Sequence, residues 1–584
     1  MTIGLFQPLL NIECTYCTNY KPFFGLFYNS SANRLFFIES KAGLCYDLHR
    51  IGMKNLLSYS HYPSIKGGIH MQKADLLLRS NAIFDGSGRE PQPGFVAVAG
   101  NRILASGPSD GAEYAGENTE IHELGDRLIC PGFVDVHCFF TGYLLTITGA
   151  DLGGCSTEEE VLSAAKAYQN TLKPGATVLA RNVRPGFGGL TQEKLDQEFG
   201  ATPAILFMEG GETCYMNSAA GAAYGFTPDT CWSESYWKLL RYILSDHSYS
   251  VPEFKKYLAM MNSRGITSVK EMGFDDFYGF TEALAELEQG QELTARVHFM
   301  SQPVGAPMNL EYGKSMRDKF QGDFVSFSGY NQMTDGSISQ LEGEMKKPYL
   351  CADTCCAKDI DWEGLKRDTL AADKEGFRFS LHAQGDGAIG KTVDIFEQCQ
   401  RDENGKMKNR QAITDLECSD PADLERMGRL GIIAEVYPQI MSIADRAGKI
   451  AMIEEKIGMD RGRFYWNRRK MADSGVTISC GTDLPLLYDD IPESVYHTVG
   501  GLFPEGGEPF NKENTLTVAE LLKAWTSGGQ YNLGREQELG TLEAGKLADI
   551  AVLDGNLFDV DPAKARGMKV FMTLVNGRVV YPTN

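Results

Sequence analysis

The stretch Pro131-Gly132-Phe133-Val134-Asp135-Val136-His137-Cys138-Phe139 decides the fold. Phe133, Val134 and Val136 make it a candidate buried strand, and it closes on a histidine. Side chains alternate along an extended segment, so His137 and Phe139 fall on the same face. Beyond it, short strand-like runs recur at Ala204 to Phe207, Thr267 to Val269, Arg296 to Phe299, Phe377 to Leu381, Gly431 to Val436 and Val476 to Ser479, separated by helical stretches such as Glu158 to Thr171. Such βα repetition implies a parallel sheet, and its length predicts an α/β fold built on a closed (β/α)8 TIM-type barrel over residues 129–539, with a long insertion near 141–260. Active groups are then expected where strands end.

Outside the barrel the pattern changes. From Ala74 to Ile129, short β runs are punctuated by Gly86, Gly88, Gly94 and Gly100. Ala548 to Leu553 and Val570 to Val580 are again strand-like, with Asn576-Gly577 as a hairpin turn. Residues 71–128 and 540–584 are therefore expected to share one small β-sandwich domain. The first seventy residues mix aromatics, cysteines, Ser and Asn without helical or alternating periodicity. Lys66-Gly67-Gly68 can be encoded by a purine-rich, ribosome-binding-like sequence just upstream of Met71, so residues 1–70 are read as an extension outside the fold and Met71 as the start.

The chain has 584 residues, 43% hydrophobic and 23% charged, which suits a large barrel core plus an accessory domain. A formal charge of −21 with no basic stretch argues against nucleic acid and anionic lipid as partners. No apolar run reaches the length of a membrane-spanning helix. The scattered cysteines fit a reducing cytoplasm, and neither Cys14-Thr15-Tyr16-Cys17 nor the group Cys351, Cys355 and Cys356 has the histidine neighbours of a metal site.

Three further segments carry a family resemblance. Leu381-His382-Ala383-Gln384-Gly385-Asp386-Gly387-Ala388 resembles a strand-end H-A-x-G-D-x-A motif, and Cys480-Gly481-Thr482-Asp483-Leu484-Pro485 resembles a G-[ST]-D-x-P motif after a last barrel strand. Leu539-Gly540-Thr541-Leu542-Glu543-Ala544-Gly545-Lys546-Leu547-Ala548-Asp549 resembles a return to a terminal β domain. In this order the chain resembles the amidohydrolase superfamily, in the family 3 branch that includes N-substituted formamide deformylases. The resemblance implies a barrel flanked by a β-sandwich, a metal at the strand C-terminal ends, and His137, His382 and Asp483 converging on it. It also implies small-molecule substrates and homo-oligomers, and makes Asp483 the position of a ligand and general base.

The departures are as informative. The family's first strand ends H-x-H, and here the second position is Phe139. Counting back from Asp335-Gly336-Ser337, the bridging lysine of relatives becomes Asn331. Counting back from Asp420-Pro421-Ala422-Asp423-Leu424, the histidine after the sixth strand becomes Asp415. Counting back from Met216-Asn217-Ser218, a D-G-H histidine becomes Glu212. Four histidines cannot be assembled at the mouth from His122, His137, His247, His298, His382 and His497, and His298, in mid-strand, is read as a hydrogen-bonded barrel-interior residue.

The set that remains assigns catalysis to Asp483, His382 and Asp415, metal ligation to His137, His382 and Asp483, and substrate binding to Glu212, Asp335 and Phe139. It permits one divalent ion of Zn, Mn or Fe at most, and equally none. Two enzymatic readings stay open. One is hydrolysis of a non-peptide carbon–nitrogen bond in an amide, formamide or cyclic amide; the other is metal-independent hydrolase, lyase or isomerase chemistry on a carbonyl compound, using carboxylates of raised pKa. The third reading is a catalytically silent homologue, against which the retention of His137, His382 and Asp483 argues. Gly186, Gly188, Gly189, Gly210 and Gly211 border loops of the insertion, and Phe187, Tyr215 and Tyr437 are candidates for an apolar lining.

Overall fold

The computed structural model describes residues 72–582 except 210–212, 231–236, 276–278 and 304–306, together with the backbone of four strands nearer the N-terminus. Those four, Pro8–Asn11, Phe24–Asn29, Arg34–Glu39 and Leu44–Asp47, pair in sequence order as an antiparallel sheet within a unit of their own, Met1–Met71. The stretch read as lacking periodicity thus contains regular strands. Met71 itself, expected as the start, lies outside the described residues.

In the second unit, eight parallel strands follow one another around a barrel. They are β1 (Phe133–Cys138), β2 (Ile266–Met272), β3 (Arg296–Ser301), β4 (Val325–Met333), β5 (Phe379–Ala383), β6 (Ala412–Asp415), β7 (Ile433–Val436) and β8 (Ile478–Cys480). Every residue of β1 and β2 is buried, as expected for parallel strands covered on both faces. The ring closes just beyond β8: Asp483 N–H donates to the His137 carbonyl at 2.8 Å, and Phe139 N–H donates to the Leu484 carbonyl at 2.8 Å. Asp135 fastens the same seam, accepting from Thr482 N–H at 3.1 Å and from its hydroxyl at 2.6 Å. The opening and closing motifs are therefore neighbours because they form the barrel's seam.

Ala204 to Phe207, expected in the barrel, is placed elsewhere. It belongs to Ala204–Met208 in a separate sheet with Ala150–Asp151, Val178–Val183 and Cys214–Met216, all between β1 and β2. That sheet has its own apolar core around Val161, Leu195, Phe199 and Leu206, and Phe187 and Tyr215 pack against it. A strand's local pattern cannot report which sheet it joins. Conversely, β4 and β6 complete the ring without having stood out as strand-like runs.

The two ends of the chain share one eight-stranded mixed sheet, with Ile550–Leu553 antiparallel to Leu128–Pro131. Alternation separates its faces: Leu76, Leu78, Val96 and Val98 join one core, and Leu77, Phe95 and Ala97 another. Asn576 and Gly577 take φ of 53° and 76°, making the hairpin turn expected of that dipeptide. Arg296, at the start of β3, holds Asp549 with two hydrogen bonds of 2.9 and 3.0 Å, both side chains buried, and the Asp549 carbonyl accepts from Gly132 N–H at 2.8 Å. The small β domain is thereby bolted to the barrel by the last residue of the closing motif.

The barrel interior departs from the usual layers of branched apolar side chains. Lys270 of β2 and Glu435 of β7 form a fully buried ion pair. Glu435 also accepts from the Asn532 amide at 2.9 Å and the Thr414 hydroxyl at 2.8 Å, and Arg378 donates to Asn532 at 2.5 Å. The signal was visible as a lone charge inside an apolar strand, Ile433-Ala434-Glu435-Val436. His298 sits in this interior too, with Nδ1 2.6 Å from the Ser326 hydroxyl, as expected.

Candidate active site

His137, His382, Asp415 and Asp483 meet at the C-terminal ends of the strands. His137 is the fifth residue of β1, His382 the fourth of β5, Asp415 ends β6, and Asp483 follows β8. The His137 and His382 Nε2 atoms lie 3.3 Å apart, with ring centroids 4.8 Å apart. Asp415 Oδ2 is 3.0 Å from His382 Nδ1, and Asp483 Oδ1 is 3.7 Å from His137 Nε2. Behind His137, Glu435 Oε2 stands 3.9 Å from Nδ1.

Each imidazole thus has a carboxylate on its Nδ1 side; Asp415, at hydrogen-bond distance, favours the His382 tautomer with the proton on Nδ1, whereas His137 Nδ1 is buried without a hydrogen-bond partner. The His382 Nε2 lone pair then faces His137 Nε2 at 3.3 Å, a separation satisfied by an N–H···N hydrogen bond from His137 or by a cation held between two lone pairs.

Electrostatics separates the two rings. Burial pushes His137 down to about 4, against the pull of Glu435 and with His382 pushing the same way. Burial also works to lower His382, but the hydrogen bond and charge of Asp415, helped by Asp483, raise it above the usual imidazole value. Burial lifts Asp483 to about 8; His382 opposes this, while Asp415 and Asp135 add to it. Glu435 stays ionised against its burial because Lys270 and His137 stabilise the anion.

The backbone is strained at the site. Asp415 and Asp483 both sit in the left-handed region, at φ 77° and 51°, an uncommon conformation for a residue with a Cβ. Gly481 is required beside them: a Cβ there would stand 2.7 Å from His137 Cβ. The glycine and aspartate of this motif therefore have separate physical reasons, close approach for one and chemistry for the other.

The other expected site residues have different surroundings. Phe139 packs edge-on against His137 at 5.4 Å and is partly exposed, so it walls the first imidazole where the second of an H-x-H pair would be. Asp335, expected at the substrate, is 1% exposed, and its two oxygens accept from the backbone N–H groups of Gln384, Gly385 and Glu344 at 2.9–3.0 Å. It holds the turn after β5, and thus His382, in place. Glu212 lies outside the described residues. Asn331 is fully buried and its amide donates to Gln302 at 3.1 Å. Sequence reasoning missed Glu435 and Lys270, whose role depends on which strands face each other across the barrel.

Among the described residues, no three His, Cys, Asp or Glu side chains enclose a single ready-made metal position. The imidazole pair does have ligand spacing, since two nitrogens each about 2.0–2.1 Å from a tetrahedral ion stand about 3.3–3.4 Å apart. Asp483 lies at the edge of that position. Phe139 offers no donor atom, and the donors gathered here, His137, His382 and Asp483, suit one divalent ion.

The profile of the amidohydrolase family matches residues 120–581. The chain belongs to that family. The putative amidohydrolase YtcJ of Bacillus subtilis is 23% identical over 504 residues, 80% of this chain and 92% of its own length. The N-substituted formamide deformylase of Arthrobacter pascens is 22% identical over 555 residues, 87% of this chain and 99% of its own. Among solved structures, an uncharacterized metal-dependent hydrolase from Pyrococcus horikoshii superposes with a TM-score of 0.66 at 19% identity, covering 84% of this chain and 99% of that one. At that identity the superposition speaks to the amidohydrolase fold alone. No helix among the described residues is long and apolar enough to cross a membrane.

Proposed function

We propose that this amidohydrolase-family protein hydrolyses a non-peptide carbon–nitrogen bond in a small amide, formamide or cyclic amide, with His137, His382 and Asp483 around one divalent ion of Zn, Mn or Fe. The supporting observation is the pair of carboxylate-backed imidazoles whose Nε2 atoms converge at 3.3 Å. The formamide deformylase among its relatives favours the substrate class. When bound, the ion supplies an activated water and polarises the scissile carbonyl. Asp483 takes the water's proton and returns it to the leaving nitrogen, a role suited to a carboxylate 3.7 Å from His137 at the strand ends. Asp415 fixes His382, and Phe139 screens His137 from solvent.

One observation favours a second reading. Asp415, His382 and His137 also form a continuous hydrogen-bonded chain, which a single proton completes without any metal. Asp483 and Asp415 would then divide base and acid roles on a carbonyl compound.

Elemental mass spectrometry on the purified protein separates the two, with turnover of an amide and formamide panel followed through chelation and in His382→Ala. About one ion per chain, with activity lost on removal and restored on return, is the expected result. Metal-free protein that still turns over the panel would replace the first reading with the second.

A further inference from the structure

Tyr437 follows β7 directly, is 4% exposed, and lies edge-on to His137 with ring centroids 5.5 Å apart. Its hydroxyl is buried and has no hydrogen-bond partner. The backbone here is held: the Arg468 guanidinium donates to the Tyr437 carbonyl at 2.9 Å, and the Thr498 hydroxyl donates to the next carbonyl, that of Pro438, at 2.7 Å. Burial and the charges of Asp483, Asp415, Glu435 and Asp135 raise the phenol's pKa well above its ordinary value, so it keeps its proton.

A buried hydroxyl left unpaired costs about 1–3 kcal/mol. Phenylalanine would fill the same space without that cost. A phenol on a fixed backbone, beside the imidazole pair, is therefore a donor kept for a partner that arrives with the substrate.

We propose that Tyr437 is a catalytic hydrogen-bond donor to the substrate's carbonyl oxygen, binding the oxyanion that forms there. The proposal rests on the hydrolase reading and adds a residue to it. As water's oxygen bonds to the carbonyl carbon, the π pair moves to the carbonyl oxygen, and Asp483 takes the proton released. The Tyr437 hydroxyl donates to that negative oxygen while keeping its own proton. When the carbon–nitrogen bond breaks, the oxygen's pair re-forms the carbonyl, the nitrogen keeps the bonding pair, and the proton passes to it from Asp483.

The test compares wild type with Tyr437→Phe in binding and turnover. Methylphosphonate serves as a tetrahedral oxyanion probe, followed by calorimetry and thermal shift. The variant is expected to bind the probe about 10- to 100-fold more weakly, the loss of one hydrogen bond to a charged acceptor. Its melting temperature without probe should equal or exceed that of wild type. On any amide that wild type hydrolyses, kcat should fall about 10²–10³-fold with little change in KM. Equal probe affinity, no binding by wild type, or a drop in melting temperature marking a structural hydroxyl would overturn the proposal. A wild type that binds the probe through Tyr437 yet hydrolyses no amide would sink the hydrolase reading and leave the donor standing.

Discussion

Asp415 Oδ2 lies 3.0 Å from His382 Nδ1, on a residue whose backbone is held at φ 77°. The acid aligns the imidazole of the neighbouring strand. Asp415→Asn keeps the size but loses the charge that holds His382 in register. Activity, or metal content if an ion is bound, should fall about 10–100-fold, while the melting temperature changes little. Unchanged turnover and metal content would show that His382 needs no orienting acid.

Gly481 touches the first imidazole's backbone from across the barrel seam, where an added Cβ would meet His137 Cβ at 2.7 Å and its N at 3.0 Å. Neither backbone can retreat, because His137 lies within β1 and Gly481, just after β8, donates its N–H to the Val436 carbonyl at 3.0 Å. Gly481→Ala should destabilise by about 1–3 kcal/mol and displace His137, so activity is lost out of proportion to stability. Denaturant unfolding alongside kinetics checks both; full activity in a folded variant would contradict the seam's rigidity.

Glu271 gives the pH prediction. It is fully buried beside β1, accepts the Phe140 N–H at 2.7 Å, and burial lifts it to about 8. The folded chain therefore binds a proton that the unfolded chain releases near an ordinary glutamate value of about 4.3. This contribution to stability is complete below about pH 4.3 and is lost as pH rises through about 8. Glu271→Gln removes the titration, so its advantage over wild type should grow between about pH 5 and 8, reaching about 3 kcal/mol near neutrality. Parallel urea titrations across that range measure it; a constant difference would mean that Glu271 stays ionised.

Asp549 closes the last sequence motif and makes the two hydrogen bonds to buried Arg296. Removing one partner strands the other charge in the interior. Asp549→Ala should therefore cost about 3–5 kcal/mol in chemical denaturation, whereas an exposed pair such as Arg89 with Asp85 should cost less than about 1 kcal/mol.

Much of the site could be read before any coordinates. His137, His382 and Asp483 stand in motifs that the family resemblance sets at one barrel mouth, and Phe139 stands where that resemblance expects a second histidine. Asp415 is reached by counting back from Asp420-Pro421-Ala422-Asp423-Leu424, where the structure starts a helix that Asp420 caps by accepting from Ala422 N–H at 2.9 Å. Asp335 was legible as a motif member but not as a support, because three backbone amides from two distant segments decide its role.

The sequence by itself determined the fold class through its βα order, and the family resemblance of its motifs singled out His137, His382, Asp483 and Phe139, since a motif is a run of neighbouring residues. Only the tertiary structure decided that Ala204–Met208 leaves the barrel, that Lys270 and Glu435 meet inside it, and that Tyr437 packs against His137 with its buried hydroxyl unpaired. The reason is physical. Periodicity and composition are properties of neighbours along the chain, whereas burial, charge pairing and the 3.3 Å approach of two imidazoles arise when strands hundreds of residues apart close one ring.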